Sequence, residues 1–303
     1  CSIGVNLLSE GEVAAADALR HADLALYRSK NNGRAQYSFF EPEMDAAMRM
    51  RREIESELRE ALHHGDLSMV YQPQADRQGR IVGVEALLRW KHAERGDISP
   101  SMFIPIAEEC GLISELGMYT LRESFLASHQ WVGLKVAINI SAAQLRMRDF
   151  PEKVAELLKE CAVDPRGFEL EITEGLLLGD DPVTHGVLRE LRQMGFSIAL
   201  DDFGTGYSSL SYLQRYPIDK IKIDRSFIAN LGIEKESAAV VQAIVKLARA
   251  LKLDVIAEGV ETIEQRDQLI DIGCEEIQGY LYSRPVDAES IGRMYNKRDE
   301  VRS

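Results

Sequence analysis

The chain reads as an α/β protein, a modified (β/α)8 TIM-like barrel whose first strand runs antiparallel to the rest. Three observations predict this. From Leu67 onward, short β-rich apolar runs alternate with amphipathic stretches of helical period, the pattern of parallel strands joined by crossover helices. The runs number eight, the count that closes such a barrel. One link, Ala75–Arg80, carries Asp76, Gln78 and Gly79 and is only of hairpin length, so the strands it joins must be antiparallel.

In order, the strands are expected at Ser68–Gln72, Val82–Trp90, Leu134–Ile140, Phe168–Thr173, Phe196–Asp201, Lys220–Asp224, Asp254–Glu258 and Glu276–Gly279. Helices are expected over Ile104–Gln130, Ala143–Cys161, Thr184–Met194, Ser208–Tyr216, Lys235–Leu251 and Thr262–Ile272. Gly195 directly follows Met194 and Gly273 follows Ile272, the places where helices end on a left-handed residue. Residues 1–40 differ: Ser2–Val5 suits a strand and Val13–Lys30 a helix ending at Asn31-Asn32-Gly33. Two such elements bury no core alone, so this stretch is expected to be a domain remnant. Within a linker at 41–66, Glu43–His63 sets Met44, Met48, Ile54, Leu58 and Leu62 along one face and charges opposite, an amphipathic helix. The barrel is expected to occupy 67–303.

The 303 residues include no apolar stretch long enough to cross a bilayer. Cys1 stands first instead of Met and no secretory leader is apparent, so a fragment is expected. Cys1, Cys110, Cys161 and Cys274 are widely spaced with no CxxC pair. That argues against structural zinc and a disulfide framework, and a reducing cytoplasm fits. The net charge of -13 disfavours polynucleotide binding, which rests on clustered Lys and Arg. An anionic substrate would need metal ions or a few placed cations.

Barrel chemistry sits at the C-terminal ends of strands, where residues distant in sequence converge. The predicted strands deliver Gln72, Glu85, Asn139, Glu171, Asp201 with Asp202, Lys222, Glu258 and Gln278 there. Paired carboxylates after an apolar strand pack poorly but suit hard divalent cations, which prefer oxygen donors. The carboxylates and the Asn139 amide oxygen could hold one cation, with Asp201 bridging to a second held also by Asp202 and Glu258. Two such ions about 3.5–4 Å apart clamp the attacking and leaving oxygens of a phosphoryl displacement. Lys222, a cation among these anions, suits orienting or deprotonating the attacking water. Its replacement by Ala is expected to spare folding and slow the reaction.

Taken together, the motifs resemble the EAL family of cyclic-di-GMP phosphodiesterases over about Leu67–Tyr295. They are Tyr71-Gln72-Pro73, Glu85-Ala86-Leu87-Leu88-Arg89-Trp90, Asn139-Ile140-Ser141, Glu171-Ile172-Thr173-Glu174, Asp201 to Gly206, Lys222-Ile223-Asp224, Ala257-Glu258-Gly259-Val260-Glu261 and Gln278-Gly279-Tyr280. Any one alone is weak, and jointly they are specific. The resemblance implies hydrolysis of cyclic-di-GMP to linear 5′-pGpG with two Mg²⁺ or Mn²⁺ ions. By motif match Glu85, Asn139, Glu171 and Asp201 would hold the first ion, Asp201, Asp202 and Glu258 the second, and Lys222 would assist the water. Gln72, Arg89 and Gln278 match substrate-contacting positions, Arg89 being suited to bidentate phosphate contact. Glu174 and Glu261 match supporting positions, Glu174 holding the glycine-bearing loop Phe203–Ser209. Ser2-Ile3-Gly4-Val5 and Ala22 to Lys30 resemble the end of a GGDEF domain whose signature motif is absent here. An upstream GGDEF domain and sensory domains in a membrane-anchored or soluble parent are the corresponding expectation, with homodimerisation through Ser208–Tyr216.

Plainer readings stand beside these. Glu85 or Glu258 alone would be a salt-bridged strand end, Asp202 a helix N-cap before Ser208, and Lys222 with Asp224 a strand's polar face. Glu261 equally suits neutralising the first turn of the next helix. Trp90 suits packing at the rim or stacking on a guanine, and the six histidines fall in no motif. A catalytically silent cyclic-di-GMP receptor signalling through the linker helix is the alternative function, and a two-metal hydrolase of another phosphodiester is a third.

Overall fold

Gly4 shows how the front of the chain is built. A Cβ there would lie 2.0 Å from the Ala22 carbonyl oxygen, so only glycine lets strand β1 (Ile3–Val5) meet helix α1 (Ala15–Asn31). Helix α1 crosses over to β2 (Tyr37–Phe39), which pairs in parallel with β1, and Ser29 Oγ donates to Ile3 O at 2.8 Å. Strand β2 escapes sequence reading because three residues hold too little period to register. The computed structural model describes residues 1–8, 14–177, 181–204, 213, 215–231 and 235–296. They fall into two compact units, Cys1–His64 with Ser101–Cys110, and Gly65–Pro100 with Gly111–Ser303. In the first unit, helix α2 (Pro42–His64) buries Met44, Ile54, Leu58 and Ala61, while Arg51 ion-pairs with Glu109, which also accepts from Tyr27 Oη.

The second unit contains β3 (Leu67–Asp76), β4 (Ile81–His92), β5 (Gly96–Ile98), β6 (Lys135–Asn139), β7 (Phe168–Thr173), β8 (Ser197–Phe203), β9 (Lys220–Ile223), β10 (Asp254–Ala257) and β11 (Glu276–Gln278). Their order is β3-β11-β10-β9-β8-β7-β6-β4, and the pairing of β3 with β4 closes the circle. Strand β3 is antiparallel to both neighbours, as the hairpin-length link requires, and the remaining barrel pairs are parallel. Strand β5 adds to β4 as a short antiparallel extension.

Two expected helices are each divided. Gly111, at φ 81° in the left-handed region, ends one helix at Cys110 before the next begins at Ile113, and α-helix resumes at Phe150 after a single turn at Ala142–Leu145. Gly195 and Gly273 cap helices at φ 120° and 99°, as their positions predicted. Of Ser208–Tyr216, all but Leu213, Arg215 and Tyr216 lie outside the described residues, as do Thr205–Ser209 of the glycine-bearing loop.

Along each strand one set of side chains meets the surrounding helices and the alternate set fills the interior. Phe168 and Phe196 pack with Phe125, the Phe125–Phe168 centroids lying 4.5 Å apart. Burial of each such side chain contributes roughly 1.5–3 kcal/mol. Trp90 is 1% exposed and packs beside His92, so it is a rim packing residue and offers no open face to a base. Inside the barrel, Lys220 Nζ lies 3.0 Å from Glu169 and 2.8 Å from Glu276. Lys222, two residues on, heads a second ionic layer.

Candidate active site

Alternation along β9 sends Lys220 and Lys222 into the barrel while Ile221 and Ile223 face the helices. Lys222 is 1% exposed, and such a charge persists only with partners. Its Nζ lies 2.6 Å from Glu258 Oε1, 2.7 Å from Glu171 Oε2, 3.2 Å from Asp201 Oδ1 and 3.8 Å from Glu85 Oε1. These carboxylates come from four other places: Glu85 on β4, Glu171 on β7, Asp201 on β8, and Glu258 just past β10. The Glu258 N–H donates to Ile223 O, which locks that position beside β9.

Burial dominates the electrostatics. It pushes Glu171 well above the usual carboxylate range despite Lys222, with Glu85, Asp201 and Glu258 adding repulsion. Burial likewise pushes Glu258 up to about 8, Lys222 offsetting it in part and Asp201 and Glu85 adding to it. Glu85 stays below its ordinary value: against the burial penalty stand Lys222 and donors from Gln278 and Asn139. Burial opposes the Lys222 charge too, but the surrounding carboxylates hold the ammonium well above its ordinary value.

A ring of amides surrounds Glu85. Asn139 Nδ2 donates to Oε1 at 2.9 Å and Gln278 Nε2 to Oε2 at 2.5 Å. Gln278 Nε2 also donates to Gln72 Oε1 at 3.2 Å, and Gln72 Nε2 to Ser283 O. Asn139 thus turns its amide nitrogen toward Glu85. Gln74 joins this ring by donating from Nε2 to Gln278 Oε1 at 3.0 Å. It was missed in the sequence, although its spacing from Gln72 places both on one strand face.

The other expected residues take varied positions. Asp202 is exposed at the mouth, outside the cluster on Lys222, with φ 54° in the left-handed region. A non-glycine residue there stores about 1–3 kcal/mol of strain, and Asp is among the side chains that tolerate it. Its N–H donates to Asp201 Oδ1. Glu174 Oε2 accepts from Gly204 N at 3.0 Å, tying the turn after β7 to the start of the loop after β8. Arg89 shares the face of Glu85 and Leu87 on β4, is half-buried and donates to Leu88 O. Thr262 and Gln265 form the capping box of the following helix, so Glu261 is not its N-cap. The Glu261 N–H donates to Gln265 Oε1.

A cavity of about 540 Å³ opens over this layer, lined by Gln72, Glu85, Glu258, Glu261, Gln278 and Tyr280 among others. Arg225, a further lining residue not foreseen from sequence, brings a cation to the mouth. Gly259 makes room for it, since a Cβ there would lie 2.5 Å from Arg225 Cβ. Among the described residues no three His, Cys, Asp or Glu side chains stand ready-arrayed around one metal position, because the carboxylates converge on Lys222. The donor set nonetheless fits a hard divalent cation. It is oxygen-rich, and its buried Glu171 Oε2 and Glu258 Oε1 already sit against a cation, the Lys222 ammonium.

The EAL domain family matches residues 55–285. The bifunctional diguanylate cyclase/cyclic di-GMP phosphodiesterase MucR of Pseudomonas aeruginosa is 39% identical over 296 residues, 96% of this chain and 43% of that protein. The cyclic di-GMP phosphodiesterase PdeR of Escherichia coli K12 is 38% identical over 301 residues, 98% of this chain and 46% of that protein. The chain thus spans less than half the length of these relatives. The solved structure of the PaMucR phosphodiesterase in its c-di-GMP complex superposes with a TM-score of 0.76 at 40% identity, covering 79% of this chain and 99% of that one. The closed eight-stranded barrel with one reversed strand, the carboxylates gathered at its mouth and the match across residues 55–285 lead to one conclusion: the chain belongs to the EAL domain family.

Proposed function

We propose that this chain is a cyclic-di-GMP phosphodiesterase that hydrolyses one phosphodiester of the cyclic dinucleotide to give linear 5′-pGpG. The observation that carries the reading is the convergence of Glu85, Glu171, Asp201 and Glu258, from β4, β7, β8 and the end of β10, on Lys222 beneath an open cavity. Membership in a family whose relatives MucR and PdeR bear the phosphodiesterase name supports it.

In this reading Glu85, Asn139, Glu171 and Asp201 would hold one divalent cation, Mg²⁺ or Mn²⁺, and Asp201, Asp202 and Glu258 would hold a second. When bound, the ions polarise the phosphodiester and make water a stronger nucleophile. The chain's own residues do the rest. Glu85, kept ionised by the Lys222 charge and its amide donors, is a fixed anionic anchor. Lys222 remains an ammonium while its carboxylates are uncompensated, so it stabilises negative charge and positions the attacking water. Gln72, Arg89 and Gln278 contact the dinucleotide, and Glu174 holds the turn through Gly204. Water adds to phosphorus, the bond to the 3′ oxygen breaks, and the products carry a 5′-phosphate and a 3′-hydroxyl.

The four cysteines are free, and no helix among the described residues is long and apolar enough to cross a membrane; a cytoplasmic setting is part of the proposal. An upstream GGDEF domain, sensory domains and a homodimer belong to the same proposal, and sedimentation of the purified chain tests the last. The deciding experiment incubates the chain with cyclic-di-GMP and Mg²⁺ or Mn²⁺, with an EDTA control, and separates the products by chromatography. Metal-dependent pGpG is expected. Nucleotide binding without product would move the chain to the receptor class.

A further inference from the structure

An ionised carboxylate can only accept hydrogen bonds, so Glu85 Oε2 dictates which end of the Gln278 amide faces it. Gln278 presents Nε2 to Glu85, and its carbonyl Oε1 therefore points the other way. There it meets Gln74 Nε2 at 3.0 Å. Gln74 is 2% exposed and Gln278 3% exposed, so water is a poor substitute for either partner.

The backbone makes this relay possible. Gln74 is the direct cross-strand neighbour of Gln278 on β11 and of Gly83 on β4. A Cβ at position 83 would come 2.8 Å from Gln74 Oε1, so the glycine provides the space its side chain occupies. The reversed strand β3 thereby carries two interior glutamines with separate tasks: Gln72 faces the cavity, and Gln74 lies behind Gln278 and does not line it.

Resting on the phosphodiesterase reading above, we propose that Gln74 is a positioning residue: by donating to Gln278 it fixes the amide that orients Glu85 toward a bound divalent cation. Without that donor, Gln278 Oε1 is left buried and unpaired, and rotation of the amide relieves this only by turning the oxygen onto Glu85. Either way the hold on Glu85 Oε2 loosens, leaving Asn139 to fix Oε1 alone, the kind of loss that weakens metal affinity about 10- to 100-fold when a partner behind a ligand is removed.

The test compares the wild-type chain with Gln74→Met, which keeps length and removes the donor, and with Glu85→Gln, with Mn²⁺ binding followed by calorimetry. A second readout is the Gln278 side-chain NH₂ pair in the ¹⁵N spectrum of the metal-free protein, assigned from Gln278→Ala. Expected for Gln74→Met are a native circular dichroism spectrum, an approximately 10-fold or greater rise in the Mn²⁺ dissociation constant, and faster solvent exchange of the Gln278 amide protons. Gln74→Asn, which keeps an amide but is one methylene shorter, should recover part of the affinity. Wild-type affinity and unchanged exchange in Gln74→Met, with Mn²⁺ binding lost in Glu85→Gln, would overturn the positioning role alone. Mn²⁺ binding undiminished in Glu85→Gln would overturn the site assignment beneath it. If Gln74→Met does not fold, the exchange rate in Gln74→Asn decides: wild-type protection there, together with weakened metal binding, would also overturn the role.

Discussion

Lys222 Nζ stands 2.7 Å from Glu171 Oε2 with both side chains withdrawn from solvent, and this pair makes the ammonium part of the fold as well as of the chemistry. Sequence reasoning treats Lys222→Ala as sparing folding. The geometry changes that expectation, because removing the lysine leaves four crowded carboxyl groups without their cation. Breaking a buried pair from one side costs about 3–5 kcal/mol. For Lys222→Met the metal-free chain should therefore melt well below wild type, and Mg²⁺ should restore part of the difference. Equal melting temperatures without metal would contradict this.

A pH dependence follows from Glu258. Its folded pKa is raised to about 8 from an ordinary value of 4.5, so the folded metal-free chain holds a proton that the unfolded chain releases. Stability from this group is complete below about pH 4.5 and declines as pH rises toward 8. In EDTA, wild-type melting temperatures should fall across that window more steeply than those of Glu258→Gln. Parallel profiles would count against it.

Glu85→Ala removes a ligand of the proposed first cation and leaves Gln278 and Asn139 donating into empty space. Turnover of cyclic-di-GMP should drop to background while the barrel still folds. Rates within a few-fold of wild type would remove Glu85 from the site.

Glu174→Ala deletes the acceptor for Gly204 N–H. An unpaired backbone donor costs about 1–3 kcal/mol where it is buried, so the start of the loop after β8 should lose its fixed position. The expected result is at least a tenfold fall in kcat/KM, with a circular dichroism spectrum like wild type, the loss corresponding to about 1.4 kcal/mol. Unaltered kinetics would confine Glu174 to packing.

Burial pushes the Cys274 thiol up to about 12, and Cys161 is buried as well, whereas Cys1 is exposed. Iodoacetamide at neutral pH should label Cys1 and spare Cys274 until the chain is denatured. Mass spectrometry of native and urea-treated samples checks this, and rapid native labelling of Cys274 would contradict it.

Much of the architecture was legible because it follows from local chemistry. The period of β-rich runs and amphipathic stretches marked the eight strands, since a strand's side chains alternate faces and a crossover helix needs its own apolar stripe. The short Ala75–Arg80 link dictated the reversed β3. Strands β2 and β5, three residues each, fall below the length at which alternation shows. The break at Gly111 was hidden inside a continuous apolar pattern.

The same division runs through the site. Glu85, Asn139, Glu171, Asp201, Lys222 and Glu258 could be named in advance as candidates, because each stands in or just after a barrel strand and closure brings those strands together. Sequence by itself determined which chemical groups reach the mouth. Tertiary structure alone decided their partners: that Lys222 is ringed by four carboxyl groups, that Asp202 takes an exposed position at the mouth, and that Gln74 reaches Glu85 through Gln278. Strand alternation decides only which face a side chain takes, whereas hydrogen bonds and ion pairs depend on distances across the barrel. Those distances are set by the register of β3 against β4 and β11 and by the space left at Gly83.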